Sequence, residues 1–193
     1  MNVILGIVFF ICGSLAVYLY QKKKYKNFTE EDFVCELIQK SFFKSKNATH
    51  TEHKIVKELL KSEDFIKDLS LTAKLKGMIV GYVLFTKVKI GKDTLLLLFP
   101  IVVASKFQKK GIGRSLIEKG HLMAKTMGYK GVVVYGEPKF FEKFGYELAS
   151  TYGIFPPTEL EKEKFFVKEL KEGSLKEISG EVIYPKVFFE IKE

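Results

Sequence analysis

The stretch LLLLFPIVVASKFQKKGIGRSLIEKGHLMAKTMG, residues 95–128, decides the fold. Its first part, residues 95–103, is apolar and rich in β-branched side chains, which predicts a central strand that is covered on both faces. A basic turn with two glycines follows at residues 108–113. After the turn, apolar or small residues recur at helical spacing: Ile112, Leu116, Gly120, Met123 and Met127. This stripe predicts an amphipathic helix, and Gly128 is suited to end it.

The turn between the strand and the helix has the features of an anion-binding site. A helix N-terminus presents unpaired backbone N–H groups and the positive end of the helix dipole. Gly111 and Gly113 allow a ligand to approach this backbone closely. Basic side chains surround it: Lys106, Lys109, Lys110 and Arg114. These features indicate a phosphate site, although a plain connection with glycines for geometry and lysines for solubility explains the turn equally well.

The composition limits the partners and the compartment. A chain of 193 residues suits one globular domain, and a net charge of +9 favours anionic partners. No stretch interleaves aromatic residues with arginines, so no nucleic-acid partner is expected. Cys12 and Cys35 lie in different kinds of segment, which predicts no disulfide and a reducing compartment. His50 and His53 lack a third ligand nearby, so no metal site is expected.

Residues 3–20 predict a membrane anchor. They carry no charge, are long enough to cross a bilayer core as a helix and are followed by three lysines. A cleaved signal peptide is the alternative, but the basic n-region and the small-residue cleavage site are missing. We therefore expect an anchor and juxtamembrane segment at 1–24, and a globular domain at 25–193. The charge bias predicts a single-pass membrane protein whose domain is cytoplasmic and meets acidic lipid headgroups.

The rest of the chain predicts alternating helices and strands. Thr29, three residues before an aspartate, predicts the start of a first helix, and a second helix has an apolar face at residues 55–60. A three-strand meander, the long helix and a buried strand at 132–135 follow, with further strands in the tail at 181–184 and 187–191. The expected fold is α/β (α+β), with a mixed central sheet of about six to seven strands flanked by helices.

The turn and two later segments resemble a known family. Residues 108–113, QKKGIG, match the Gln/Arg-x-x-Gly-x-Gly/Ala motif of the GNAT N-acetyltransferases and lie between a buried strand and a long helix, as that fold requires. Residues 136–146, GEPKFFEKFGY, are similar to the Gly-Asp-Pro-x-Tyr-Tyr-x-x-Phe-Gly-Phe segment of a branch of small bacterial and archaeal acetyltransferases. Residues 179–185, SGEVIYP, resemble the Ser-Gly-x-Val-x-Tyr-Pro segment of its tail. The resemblance covers residues 28–193 and implies the acyl-CoA N-acyltransferase fold.

The resemblance implies that acetyl-CoA is the co-substrate. The pantetheine arm would pair with the strand backbone at Ile101, Val102 and Val103, and a backbone N–H at about Val103 would polarise the acetyl carbonyl. The remaining CoA-binding residues would lie in the turn and the helix start: Gln108, Lys109, Lys110, Gly111, Ile112, Gly113, Arg114 and Ser115. An amine of a small molecule or a protein would attack directly, so no enzyme nucleophile is required. Related folds often form dimers, so a homodimer is compatible with the resemblance.

Two phenylalanines depart from the family's pattern. Phe140 and Phe141 lie where many members carry a tyrosine that protonates the leaving thiolate, and phenylalanine has no proton to donate. The catalytic candidates are therefore Glu137 and Tyr135, with Tyr146 or ordered water as alternatives. Glu137 is equally suited to a structural role at a helix start, and Tyr135 to packing within a strand.

Three functions are weighed. The first is a membrane-tethered N-acetyltransferase that uses acetyl-CoA. The second is a non-catalytic acyl-CoA-binding or interaction protein, which the two phenylalanines suggest. The third is a Rossmann-type dinucleotide binder, which ranks last because the third glycine is missing and position 135 is tyrosine rather than an acidic residue. His121, in the middle of the long helix, is expected to be partly exposed and to have no catalytic role.

Overall fold

The apolar stretch before the glycine turn is the central strand of a mixed sheet. The computed structural model describes four stretches of the chain: residues 28–43, 45, 48–157 and 160–191. The central strand spans Asp93–Val103. Its leucines alternate between two buried clusters, with Leu96 and Leu98 in one and Leu95 and Leu97 in the other. Because both faces of the strand are covered, apolar residues occupy successive positions, as predicted.

The helices and strands follow the predicted order. The helices of the described residues are α1 (Glu30–Phe42), α2 (Glu52–Leu59), α3 (Ile112–Thr126), α4 (Pro138–Phe141) and α5 (Val187–Glu190). The strands are β1 (Ser70–Leu75), β2 (Met78–Ile90), β3 (Asp93–Val103), β4 (Gly131–Tyr135), β5 (Glu147–Leu148), β6 (Ile154–Phe155), β7 (Phe165–Glu169) and β8 (Gly180–Ile183). The meander β1–β2–β3 precedes α3, and α3 returns the chain to β4 beside β3.

The sheet has eight strands in the part of the chain that the structure describes, in the order β5-β7-β4-β3-β2-β8-β6, and β1 also pairs with β2. About six to seven strands were predicted. A strand was predicted at residues 145–148, where β5 lies, but β6 was not predicted, because two residues are too few for a visible alternation. Only the β3–β4 and β6–β8 pairs are parallel. A dinucleotide-binding fold needs a mostly parallel sheet, so the Rossmann interpretation is excluded.

β3 and β4 diverge after a short contact. They pair at Leu96 with Val132 and at Leu97 with Val133, while β3 continues to Val103 without a partner on that side. The wedge between the diverging strands is the feature of the fold that creates the site.

A bulge in β3 lies at the start of the wedge. In the register with β2, Val83 pairs with Ile101 and Phe85 pairs with Leu98. One residue of β2 therefore lies opposite Phe99 and Pro100, which are joined by a cis peptide bond. A bulge bends the strand that carries it and re-aims its edge.

The capping box predicted at Thr29 is present. The Thr29 N–H donates to Asp32 Oδ2 at 2.9 Å, and the Asp32 N–H donates to Thr29 Oγ1 at 3.2 Å. These bonds satisfy N–H groups at the start of α1.

A compact unit begins at Val34 and carries the sheet and the site described below.

The predicted localisation as a single-pass membrane protein is wrong. No helix in the described ranges is both long and apolar enough to cross a membrane. The longest of them, α3, has 15 residues and buries only one face. The proposed anchor itself, residues 3–20, lies outside the described residues, and the expected contact with lipid headgroups depended on that anchor.

Helix α3 packs on the sheet along most of the predicted stripe, since Leu116 and Gly120 are buried and Ile112 and Met123 pack against the core. Its buried residues are Leu116, Ile117, Gly120, His121 and Ala124. Met123 is only partly buried and Met127 is exposed. The reason is the close approach of α3 to β2, which places small residues at the centre of the contact and longer side chains at its margin.

Residues 187–191, predicted as a strand, instead contain the helical turn α5. The Phe188 N–H donates to Pro185 O at 3.1 Å. This turn places the ring of Phe188 5.0 Å from that of Phe99 and 5.1 Å from that of Tyr184. The packing of one aromatic ring against two others overrides the local strand tendency of the sequence.

Candidate functional site

A cavity of about 850 Å³ lies where β3 and β4 part. Its inner end is beside Leu97, the last residue of β3 that pairs with β4. Its other end is formed by the turn and the first residues of α3. The tail closes one side with three aromatic residues: Tyr184, Phe188 and Phe189. The volume is in the range of ligand and cofactor sites.

The backbone of β3 offers hydrogen-bonding groups to this cavity. The Ala104 N–H donates to Val80 O at 2.9 Å, and the two strands are antiparallel here. In an antiparallel pair, alternate residues bond to the partner strand, so Ala104 and Val102 face β2. The N–H and C=O groups of Ile101 and Val103 consequently point to the opposite edge, where no strand of the described chain pairs with them. Of these groups, the Val103 C=O accepts a hydrogen bond from the Gln108 side chain, and the other three face the cavity edge.

The turn before α3 is held by two local constraints. Lys109 and Gly111 have left-handed φ values of 59° and 82°, which glycine adopts freely and lysine seldom adopts. The Gln108 side chain donates from Nε2 to Val103 O at 2.9 Å, which ties the turn to the end of β3. These constraints fix the position at which α3 begins.

The first turn of α3 presents backbone N–H groups to the cavity. The Ser115 N–H donates to Gly111 O at 2.9 Å, so the N–H groups of Ile112, Gly113 and Arg114 have no partner within the helix. Gly111 provides no side-chain cap. Gly111 and the first three residues of α3, Ile112 to Arg114, all line the cavity. The start of the helix can therefore bind an anion there.

Most of the predicted CoA-binding residues come together on the cavity wall: Ile101, Val103, Gln108, Lys109, Gly111, Ile112, Gly113 and Arg114. Three others are not part of that wall. The Val102 side chain is buried with residues of α1 and α2. Lys110 Nζ lies 5.5 Å from the ring centroid of Phe107, and Ser115 is exposed on α3.

The two predicted catalytic residues, Glu137 and Tyr135, both line the cavity. Glu137 is the N-cap residue of α4, but its side chain makes no capping hydrogen bond. Tyr135 Oη donates to Glu161 Oε1 at 3.4 Å. Burial, together with the charge of Glu161, raises the pKa of Tyr135. The carboxylate of Glu137 is therefore the less constrained of the two groups.

Tyr146 and His121 form a buried pair that is not part of the cavity wall. Tyr146 Oη and His121 Nε2 are 2.9 Å apart. Burial, assisted by the charge of Lys168, lowers the pKa of His121 to about 4, and burial raises the pKa of Tyr146. The structure thus gives Tyr146 a structural role rather than an acid–base role. The prediction that His121 is partly exposed is wrong, since it is 9% exposed.

Sequence reasoning missed several polar residues of the cavity, and two of them, Tyr184 and Glu52, are buried. Tyr184 is buried, and its hydroxyl has no hydrogen-bond partner among the described residues. Glu52 is 5% exposed, and its Oε1 accepts the Thr49 N–H at 2.8 Å. Tyr184 belongs to the tail segment SGEVIYP, and the resemblance of that segment to the family was the only feature of the sequence that could have marked Tyr184 as a site residue. Nothing local marks Glu52, because the fold alone brings α2 to the cavity.

Comparisons with known proteins agree with this geometry. The sequence matches the family described as "Acetyltransferase (GNAT) domain" over residues 67–148. A curated relative, "Uncharacterized N-acetyltransferase YhbS" of Escherichia coli (strain K12), is 31% identical over 158 residues, which cover 79% of this chain and 89% of that protein. "Uncharacterized N-acetyltransferase YjhQ" of the same strain is 31% identical over 50% of this chain and 55% of its own length.

Two solved structures are similar to the whole arrangement. The crystal structure of the GNAT family N-acetyltransferase YhbS from Escherichia coli in complex with CoA has a TM-score of 0.75 and 27% identity, and covers 83% of this chain and 87% of its own. A GNAT family acetyltransferase from Brucella melitensis in complex with acetyl-CoA has a TM-score of 0.66 and 22% identity, and covers 83% of this chain and 94% of its own, which shows a shared fold.

Proposed function

Because the chain belongs to the GNAT family of acetyltransferases, we propose that it transfers the acetyl group of acetyl-CoA to a primary amine by direct attack. One observation carries the proposal. The open edge of β3 and the free N–H groups at the start of α3 line the same cavity. Such a combination suits a ligand that has an amide-bearing arm at one end and phosphates at the other.

The residues present fit CoA. Ile101 and Val103 have backbone groups on the open edge of β3, which can pair with the amides of the pantetheine arm. The phosphates would lie on the turn and the helix start at residues 108–114, where Lys109 and Arg114 add positive charge. Val102, Lys110 and Ser115 are left out of this assignment because their side chains are not part of the cavity wall.

The chain's own groups can support the reaction. Acetyl-CoA supplies an acyl group that is already activated as a thioester. A backbone N–H of the β3 edge, at Ile101 or Val103, can donate to the carbonyl oxygen as negative charge develops there. Glu137 can accept the proton that the amine loses. Direct attack is supported because no serine, cysteine or histidine lines the cavity in the described residues.

A binding-only protein is the alternative that Phe140 and Phe141 favour. Both rings line the cavity, with their centroids 5.0 Å apart, and Phe141 is buried. Neither ring can move a proton. The release of CoA distinguishes the two functions, since a binding-only protein retains acetyl-CoA unchanged when amines are added.

The proposal is tested by calorimetric titration with CoA. Three full-length proteins are compared: the wild type, Arg114→Gln and a matched control, Lys119→Gln. Each variant removes one positive charge from an exposed position on α3, but only Arg114 lines the cavity. Arg114 is held beside the cavity by Glu118 at 3.0 Å. Because charge-assisted hydrogen bonds contribute about 1.5–3 kcal/mol, we expect Arg114→Gln to weaken binding roughly tenfold or more.

Lys119→Gln should leave the dissociation constant within about twofold, since an exposed charge away from the ligand contributes little. A thiol assay with a panel of primary amines then follows the release of CoA. Equal affinity of both variants for CoA would contradict the placement of the phosphates. Retention of acetyl-CoA with every amine would favour the binding-only alternative.

A further inference from the structure

We infer that Tyr184 protonates the sulfur of the leaving CoA. Phe140 and Phe141, which lie where many family members carry a tyrosine for this step, cannot do so. The inference rests on the proposed function. Tyr184 follows β8 and lines the cavity. Its side chain is buried, yet its hydroxyl has no hydrogen-bond partner among the described residues. The residue is thus a proton donor that lacks an acceptor in the part of the chain that the structure describes.

The unpaired hydroxyl is an exception among the buried tyrosines of the described residues. Tyr82 Oη lies 2.9 Å from Ser70 Oγ, and Tyr146 Oη lies 2.9 Å from His121 Nε2. Because an unpaired buried hydroxyl is costly, native structures rarely keep one without a ligand or a function. The cavity next to Tyr184 indicates that the missing partner arrives with a ligand.

Tyr184 lies at the end of the cavity where the thioester of acetyl-CoA would be, and not at the end where the phosphates would bind. Tyr184 packs in the same cluster as Leu97 and Val133, the pair at which β3 and β4 part. This is the inner end of the cavity, whereas the anion-binding N-terminus of α3 is at the other end. An arm that extends from the phosphates along the β3 edge would therefore bring its sulfur towards Tyr184.

Neighbouring rings hold Tyr184 in place. The ring of Phe188 lies 5.1 Å from that of Tyr184, and Phe188 lies 5.0 Å from Phe99 at the bulge of β3. Burial raises the pKa of Tyr184. The phenol therefore stays protonated at neutral pH, as a donor must.

Other hydroxyl groups of the cavity are engaged. Tyr135 Oη donates to Glu161 at 3.4 Å. Thr49 Oγ1 lies 2.8 Å from Thr51 Oγ1 and 3.2 Å from Glu52 Oε1. Among the described residues of the cavity wall, Tyr184 is thus the hydroxyl that has no partner in the protein.

The step balances without any further reagent. The amine nitrogen bonds to the carbonyl carbon, and the C–S bond breaks with its electron pair on sulfur. The proton of Tyr184 Oη passes to that sulfur, which gives the thiol of CoA, and water in the open cavity returns a proton to Tyr184. The proton that nitrogen loses passes to Glu137 and then to water, so the products are an amide and free CoA.

The first test asks whether Tyr184 contacts the sulfur, and it needs no acceptor. The full-length wild-type protein and Tyr184→Phe are titrated with CoA and with desulfo-CoA, which lacks the sulfur atom. The loss of one hydrogen bond raises a dissociation constant by a few-fold. The wild type should therefore bind CoA about three- to tenfold more tightly than desulfo-CoA. In Tyr184→Phe this preference should disappear, while the affinity for desulfo-CoA stays within about twofold.

The second test measures turnover with phenethylamine, an amine whose apolar body suits the phenylalanines of the cavity. Because a general acid typically contributes at least about 10²-fold, Tyr184→Phe should lower kcat by roughly that factor, leave KM nearly unchanged and lose the solvent isotope effect of the wild type. Its melting temperature should not fall, since the lost hydroxyl had no partner. Tyr146→Phe is the matched control, because it removes a paired hydroxyl outside the cavity wall and should lower stability without this loss of kcat.

Three results would overturn the inference. One is the same preference for CoA over desulfo-CoA in both proteins. Another is an unchanged kcat with a raised KM for the amine, which would make Tyr184 part of acceptor binding. The third is a wild-type protein that binds CoA but releases none from acetyl-CoA with phenethylamine or any amine of the panel, a result that removes the proposed function and this step together.

Discussion

At the scale of single residues, a buried histidine couples the stability of the protein to pH. His121 on α3 lies against Tyr146, with 2.9 Å between Nε2 and Oη, and its ring contacts the edge of Phe85 at a centroid distance of 5.9 Å. Burial and the charge of Lys168 disfavour the charged imidazolium, which lowers the pKa of His121 from 6.5 to about 4. The neutral side chain is therefore the form that the core accepts.

Acid should destabilise the protein through this residue. The unfolded chain takes up a proton at His121 near pH 6.5, whereas the folded protein does so only near pH 4. Between these values the unfolded state binds more protons, so the free energy of unfolding falls as the pH falls. The contribution lost is about 3 kcal/mol over this window. Urea unfolding at several pH values from 7 to 4 measures it.

His121→Gln isolates this contribution, because glutamine can hydrogen-bond to Tyr146 but does not titrate. The difference in unfolding free energy between the wild type and the variant should shrink by about 3 kcal/mol from pH 7 to pH 4. Parallel pH profiles of the two proteins would show that His121 is not the group responsible.

The contrast between Glu137 and Tyr184 shows which site residues a sequence can reveal. Glu137, Tyr135 and the turn residues lie within or beside the motifs that resemble the GNAT family, and that resemblance predicted them as parts of one site. Tyr184 is distant in sequence from the turn, and its significance depends on an unpaired hydroxyl that only the packed structure displays. His121 was misjudged for a similar reason, since its partner Tyr146 is distant in sequence, in the loop before β5.

At the scale of elements, α3 packs on β2 through a glycine. A Cβ at Gly120 would lie 2.1 Å from Cε2 and 2.5 Å from Cζ of Phe85. Phe85 is fully buried, so its ring has little room to move. The absence of a side chain at Gly120 therefore sets the distance between the helix and the sheet, and with it the position of the N-terminus of α3.

Gly120→Ala should destabilise the protein, although alanine is the better helix former. Overpacking of a core costs about 1–3 kcal/mol, while the gain in helix propensity is at most about 1 kcal/mol. Gly113→Ala on the same helix is the control, because its Cβ would meet Val103 Cγ2 at an ordinary 3.5 Å. Chemical denaturation should show a loss for Gly120→Ala and no loss for Gly113→Ala; equal stability of the two variants would contradict this account of the packing.

Elements with strong local signals were predictable, and those decided by tertiary contacts were not. The capping box at Thr29 and the apolar run of β3 each carry their own physical cause in the sequence. Residues 187–191 have a strand-like pattern, but the contacts of Phe188 with Phe99 and Tyr184 favour a helical turn. On α3 the apolar spacing placed Leu116 and Gly120 in the packed stripe, but the burial of His121 and Ala124 depended on the close approach of the helix to β2.

At the scale of the whole molecule, the cavity is assembled from segments that are far apart in the chain. Its wall combines α2, the edge of β3, the start of α3, the end of β4 and the tail after β8. The order of the elements could be predicted from the sequence, but the divergence of β3 from β4 after Leu97 could not, because it depends on pairing between strands. A ligand in this cavity would connect all of these segments.

Binding of CoA should therefore stabilise the fold as a whole. A ligand at a hundred times its dissociation constant adds about 2.7 kcal/mol to the free energy of unfolding, which corresponds to roughly 5–10 °C in melting temperature for a chain of this size.

Fragments of CoA can separate the two ends of the site in a thermal shift assay. Pantetheine, which reaches only the β3 edge, and 3′,5′-ADP, which reaches only the turn and α3, should each give a smaller shift than CoA at equal concentration. Arg114→Gln should reduce the shift with 3′,5′-ADP and leave that with pantetheine unchanged, because Arg114 lies at the phosphate end of the cavity. A pantetheine shift as large as that of CoA would show that the helix N-terminus contributes nothing to binding.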